Sequence, residues 1–144
     1  MKWIEYNSGY KYQLKREHSL SITIKPAKPI STDFIDLDID GVLTLKKGYA
    51  WDGPSGPAID TLTFMRGSLI HDALYQLMRE NYLDHDIYRS TADKLLHDIC
   101  IEDGMWSVRA WWILKGVTWF GDPSADPAHK RPSIRAPKKC IDDI

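Results

Sequence analysis

The hydrophobic period changes halfway along this chain, and a fold built from one kind of element cannot accommodate that change. In the first part, apolar side chains recur at every second residue. Tyr10, Tyr12 and Leu14 alternate with Lys11, Gln13 and Lys15, and Leu20, Ile22 and Ile24 repeat the pattern before Lys25-Pro26 ends the run. Ile35, Leu37 and Ile39 then alternate with Asp36, Asp38 and Asp40. A period of two marks strands with one face buried and one wet, the usual condition of an antiparallel sheet. Asp40-Gly41 is a hairpin signal, and Val42-Leu43-Thr44-Leu45 follows it as the return strand.

From residue 69 onward the period is helical. Leu69, Ile70, Ala73, Leu74, Leu77 and Met78 recur at one-, three- and four-residue steps, which predicts a helix over about 67–80. A second helix is expected over about 86–103, where Ala92, Leu95, Leu96, Ile99 and Cys100 share a face. Asp84 or Asp86 is placed to cap it and Gly104 to end it. A third is expected over about 107–120, stopped by Gly121, with Val108, Trp111, Trp112, Leu114 and Trp119 suggesting burial on more than one side. Residues 121–144 hold four prolines and the cluster Lys130, Arg131, Arg135, Lys138 and Lys139, without periodicity. The expectation is an α+β fold: an N-terminal antiparallel β-meander, a three-helix segment and an extended C-terminal tail. Residues 1–121 form a single domain, and 122–144 a Pro-rich basic tail that could wrap over the helices.

Composition narrows the function classes. A chain of 144 residues with six Trp, seven Tyr and three Phe can build a sizeable core for one domain. A formal net charge of −1 argues against binding dominated by nucleic-acid phosphates, although a local basic patch is compatible with it. The first residues, Met1-Lys2-Trp3-Ile4-Glu5-Tyr6, lack the apolar run of a signal peptide. The longest apolar stretch, 110–120, is interrupted by Lys115 and falls short of the ~20 residues of a membrane span. With two cysteines, Cys100 and Cys140, read as free thiols, the expected location is cytoplasmic. If the chain is phage-encoded, that means host cytoplasm or the virion.

The chemistry-bearing residues gather at the junction of the two halves. Residues 48–57 read Gly-Tyr-Ala-Trp-Asp-Gly-Pro-Ser-Gly-Pro, a turn-rich loop whose three glycines allow close approach. Such a loop alone would be a plain connector, but Leu69-Ile70-His71-Asp72-Ala73-Leu74-Tyr75 follows it. On a helix, His71 and Tyr75 share a face and Asp72 points about a quarter-turn away. The short connection 81–85 predicts that the next helix returns antiparallel, which lets Asp93 reach His71. A carboxylate on one imidazole nitrogen orients the ring and raises its basicity, leaving the other nitrogen to accept a proton. A histidine among apolar residues is more often a satisfied core residue than a catalyst, so both readings stand.

The Gly-x-x-x-Asp-Gly-x-Ser-x-Pro loop, His-Asp-x-Leu-Tyr, the Ala92-Asp93 pair and an aromatic third helix with Arg109 and Gly121 resemble an uncharacterised family. It is known as domain of unknown function 1353, is frequent in tailed phages and prophages, and is matched over roughly 40–121. Where that family commonly has Thr-Asp-Phe-Ala-Ser-x-Pro, this chain has Trp-Asp-Gly-Pro-Ser-Gly-Pro. The order of motifs is also similar to that of secreted phospholipase A2, as an analogy of site. That resemblance implies His71 as base on water, oriented by Asp93 with Tyr75 alongside. It further implies a divalent metal such as calcium or zinc on Asp72, with the loop at Asp52, Gly53 and Ser55 helping to hold it. Phospholipase A2 is laced with disulfides, which two cysteines cannot reproduce.

Three weaker signals remain. Asp36-x-Asp38-x-Asp40-Gly41 opens like an EF-hand loop, but Lys47 stands where the closing Glu belongs, so a wet hairpin face explains it better. His85-Asp86 and His97-Asp98 invite a phosphohydrolase reading, with a metal on His71, Asp72, Asp93 and His97. Lys130 to Lys139 could meet an acidic partner, though a solvated tail is the default. The leading expectation is a phage-type hydrolase-like protein acting on an ester, amide or phosphoester of a small-molecule, lipid or cell-wall substrate. The alternative is a non-enzymatic phage accessory or virion protein, partnered by other phage proteins, in which the same polar network is structural.

Overall fold

The computed structural model describes residues 4–6, 12–51, 62–120 and 134–136. The order of elements is β1 (Ile4–Tyr6), β2 (Tyr12–Gln13), β3 (His18–Ser21), β4 (Ile30–Ser31), β5 (Ile35–Leu37), β6 (Val42–Leu45) and β7 (Ala50–Trp51). Then come α1 (Leu62–Arg79), α2 (His85–Glu102), α3 (Ser107–Phe120) and β8 (Ile134–Ala136). Antiparallel strands come first and three helices follow, an α+β arrangement. The main sheet has the order β3-β6-β5-β4, while β2 pairs with β7 and β1 with β8. Consecutive hairpins therefore run from β4 to β6, and β3 closes the far edge against β6. In the C-terminal segment, Ile134–Ala136 lies antiparallel to β1.

The sheet follows from its alternation. Ile35, Leu37, Leu43 and Leu45 are fully buried, and the pairing sets Leu37 opposite Leu43 and Ile35 opposite Leu45. The intervening Asp36 faces outward, accepting a hydrogen bond from Ser31 and lying 3.4 Å from the Lys46 ammonium. Asp38 closes the hairpin, its Oδ1 accepting from the backbone N–H groups of Asp40 and Val42. Two of the three aspartates of the EF-hand-like run are thus committed to a strand neighbour and a turn.

Helix α1 buries Leu69, Ile70, Ala73, Leu74, Leu77 and Met78 in the same cluster as the sheet residues. It begins at Leu62, five residues before the expected start near residue 67. Gly67 lies inside the helix, where α2 passes close by. A Cβ at Gly67 would stand 2.9 Å from both Cys100 Sγ and Leu96 Cδ1. Asp84 caps α2 by accepting from the N–H of Asp86. Gly104 ends it at φ 102°, a left-handed conformation that few other residues adopt.

Helix α3 departs from expectation. Ala110 is buried in a second cluster with Phe64, Leu96, Cys100 and Met105, and Ile113 and Val117 pack against that cluster. The opposite side is bare. Val108 is 68% exposed, Trp112 60% and Trp119 64%, and Trp106, just before the helix, 84%. An apolar helix surface can be buried only where the fold supplies a second neighbour, and one face of α3 has none among the described residues.

Candidate functional site

The site lies in the seam between α1 and α2. Contacts along the seam run from Arg66–Asp103 through Gly67–Cys100 to His71–Asp93, so the two helices are antiparallel. At one end the Arg66 guanidinium grips Asp103, its Nη2 2.8 Å from Oδ1 and its Nε 3.0 Å from Oδ2, and reaches Glu102 at 3.2 Å. The bond to Asp103 holds the Arg66 pKa above its ordinary value, since losing the proton would break it. This clasp and the close approach at Gly67 fix the separation at which side chains meet further along.

At the centre, His71 Nε2 lies 2.8 Å from Asp93 Oδ1, and the Tyr75 hydroxyl donates to that same oxygen at 2.5 Å. The His71 and Tyr75 rings, one helical turn apart, lie 4.1 Å between centroids. His71 is 8% exposed, Tyr75 3% and Asp93 1%. The second carboxylate oxygen, Asp93 Oδ2, is buried with no hydrogen-bond partner among the described residues. The other ring nitrogen, His71 Nδ1, stands 3.8 Å from Asp72 Oδ1, an ion-pair distance and not a hydrogen bond. Asp72 is partly exposed, so His71 bridges a dry carboxylate and a wet one.

Electrostatics follow from that placement. Burial pushes the His71 pKa down, but the two flanking carboxylates, Asp72 and Asp93, outweigh it and the net shift is upward. The Tyr75 phenol is held well above its usual range, first by burial and then by the hydrogen bond it donates to Asp93. It therefore acts as a neutral donor. Arg89 opposes that rise and also donates to the Thr118 carbonyl at 3.1 Å, tying the site to the end of α3. The Cys100 thiol, buried and near Asp103, is raised to about 11, and so is an inert part of the second cluster.

The loop that precedes α1 is partly visible. Trp51 Nε1 donates to Ser68 Oγ at 3.2 Å, and the Tyr49 hydroxyl donates to Gln76 Oε1 at 3.1 Å. Ser68 lies one turn before His71, so residues 49–51 are pinned alongside the site helix. Asp52, Gly53 and Ser55, expected to approach His71 and Asp72, lie outside the described residues, as does the rest of 52–57.

Other sequence candidates separate. The His97 Nδ1 pairs with Asp98 at 2.9 Å, and among the described residues His71, Asp72, Asp93 and His97 do not converge as a ligand set. The donors that do approach one another there are Asp84, His85 and Asp86 at the start of α2, where Asp84 already serves as the cap. Arg66, Ser68, Gln76 and Arg89 escaped the sequence reading. The partners of Arg66 and Arg89 each lie more than 25 residues away in the chain. Comparison with family models, with curated proteins and with solved structures found no match to this chain.

Proposed function

We propose that this protein is a phage-type hydrolase-like protein in which His71 is the general base. The carrying observation is the anchored imidazole: Nε2 is fixed at 2.8 Å on buried Asp93 while Nδ1 faces the partly exposed Asp72 side. In this reading Nδ1 takes a proton from water, and the resulting hydroxide attacks an ester, amide or phosphoester. The proton then passes from Nδ1 to the leaving group. Asp93 stabilises the imidazolium through Nε2–H, and Tyr75 fixes the carboxylate that does so. Asp72 is the oxygen donor assigned to a divalent cation such as calcium, with Asp52, Gly53 and Ser55 as the other assigned donors. The proton transfer described does not depend on that cation.

A second reading is supported by burial. With His71 and Asp93 nearly inaccessible and Tyr75 donating to the same oxygen, the network can instead lock α1 to α2 in a non-enzymatic phage accessory or virion protein. One variant separates the two. If His71 is the base, wild type turns over a member of a panel of esters, amides, phosphoesters and peptidoglycan, and His71→Ala lowers that turnover by ~10²-fold or more. If the network is a lock, wild type is inert on the panel, and His71→Ala costs ~1–3 kcal/mol by leaving Asp93 short of a partner. An active wild type unaffected by His71→Ala removes the catalytic reading.

A further inference from the structure

The outer face of α3 is built like a surface anchor. At 100° per residue, Val108, Trp111, Trp112, Lys115 and Trp119 fall within an arc of about 100°, opposite the packed side formed by Ala110, Ile113 and Val117. Trp111 and Trp112 meet edge to face at 4.9 Å, and the Lys115 ammonium lies 5.4 Å from the centroid of the Trp111 ring. The three indoles are 45%, 60% and 64% exposed, on the order of 400 Å² of ring surface in contact with water. An uncovered apolar patch of a few hundred Å² marks an interaction face.

Three features choose among occupants. First, α3 contains Arg109 and Lys115 and no acidic residue, so its own charges are all positive. The nearby acids Glu102 and Asp103 are engaged by Arg66. Second, the face is the convex side of one helix, and a deformable surface can cover a ridge without a matching groove. Third, its large residues are tryptophans, whose rings favour the boundary between hydrocarbon and water, and a lysine stem can lie along them while its ammonium reaches a phosphate. A second copy of the chain fits less well. Two such ridges packed about a twofold axis would oppose two acid-free cationic helices, each with Lys115 in the middle of its face.

We propose that α3 is a membrane-docking ridge. Trp111, Trp112 and Trp119 sit among the headgroups of an anionic phospholipid bilayer, and Lys115 pairs with lipid phosphate. This holds whether or not His71 is a catalyst, because no residue of the seam takes part.

The test is sedimentation of the full chain with sucrose-loaded vesicles, either phosphatidylcholine alone or phosphatidylcholine with one quarter phosphatidylglycerol, while indole emission is recorded. Wild type is expected to pellet with the anionic vesicles, shift its emission to the blue and be quenched by lipids brominated near the headgroup. The double variant Trp112→Ser/Trp119→Ser should bind at least ~10-fold more weakly while its melting temperature falls by only a few degrees. Lys115→Glu should weaken binding to the anionic vesicles far more than to the neutral ones. Wild type that stays in the supernatant with both vesicle types overturns the proposal. So does a double variant that binds like wild type. A dimer that the double variant abolishes, with no uptake by vesicles, assigns the ridge to a second copy and equally overturns it.

Discussion

The α1–α2 seam and the outer face of α3 are both helix surfaces rich in large residues, yet they end in opposite environments. In the seam three polar groups, His71, Tyr75 and Asp93, are almost wholly removed from water. On α3, three indoles are left in it. Local hydrophobicity would rank these surfaces the other way round. What decides burial is the number of neighbours the topology supplies. Helix α1 lies between the sheet and α2, whereas α3 packs mainly on α2. The polar seam survives burial because His71 and Tyr75 both bond Asp93 Oδ1, although Asp93 Oδ2 has no partner among the described residues. Helix α3 stays exposed because one side has nothing in the described chain to meet.

The comparison is broken most forcefully at Asp93. Asp93→Ala deprives both His71 and Tyr75 of their shared acceptor in a dry seam. The expected loss is about 3 kcal/mol, or a fall of about 10 °C in melting temperature. If thermal unfolding shows a drop no larger than that of an exposed-residue change, the seam is not a coupled network.

A smaller effect is expected from Gly67→Ala, which probes the geometry that allows the seam. The added methyl would meet Cys100 Sγ and Leu96 Cδ1 at 2.9 Å and the Leu96 carbonyl at 3.3 Å, so those side chains must turn and α2 must give by a few tenths of an ångström. Overpacking of this kind costs ~1–3 kcal/mol, more than the ~1 kcal/mol that Gly→Ala normally gains inside a helix. A variant more stable than wild type in urea unfolding would show that the close approach is slack.

Much of this architecture was legible in the chain. Alternation at Ile35 and Leu37 marked β5, although Ile39 falls beyond the strand and is exposed, and the apolar steps from Leu69 to Met78 marked α1, because each reports which side chains share a face. The short connection before α2 made the pairing of His71 with Asp93 foreseeable. Contacts set by distance along the chain were not. Ser68 and Gln76 carry no sign of the Trp51 and Tyr49 groups that reach them, and nothing local distinguishes Arg66 from any solvated arginine. The misjudged side of α3 has the same root. Periodicity reveals which residues lie together but carries no information on whether another element covers them.

The titration of His71 sharpens the comparison further. Its folded pKa lies above the unfolded value of ~6.5, because Asp72 and Asp93 outweigh burial. Its charged form therefore stabilises the fold fully below about pH 6.5 and progressively less as pH rises through the folded pKa. The melting-temperature gap between wild type and His71→Gln should be widest near pH 5.5 and narrow toward pH 9. If His71 is the base, activity should rise over the same window, with an inflection above 6.5. A gap that widens with pH would mean that burial, and not the two carboxylates, governs the ring.

The smallest effect belongs to α3 itself. Trp112→Ser removes a large aromatic side chain, a change that costs ~3–5 kcal/mol when made in a core. At 60% exposure Trp112 has little to lose on leaving the folded surface, since most of its ring is in contact with water in both states. Its edge-to-face contact with Trp111 is the main interaction forfeited, and an exposed aromatic pair contributes at most about 1 kcal/mol. Serine is also only a moderately poorer helix former than tryptophan, so propensity adds a few tenths of a kcal/mol at most. The melting temperature should therefore move by no more than about 4 °C, against about 10 °C for Asp93→Ala. A Trp112→Ser variant that loses as much stability as Asp93→Ala would mean that the ring is covered in solution. The contrast between a buried polar seam and a bare aromatic ridge would then fail.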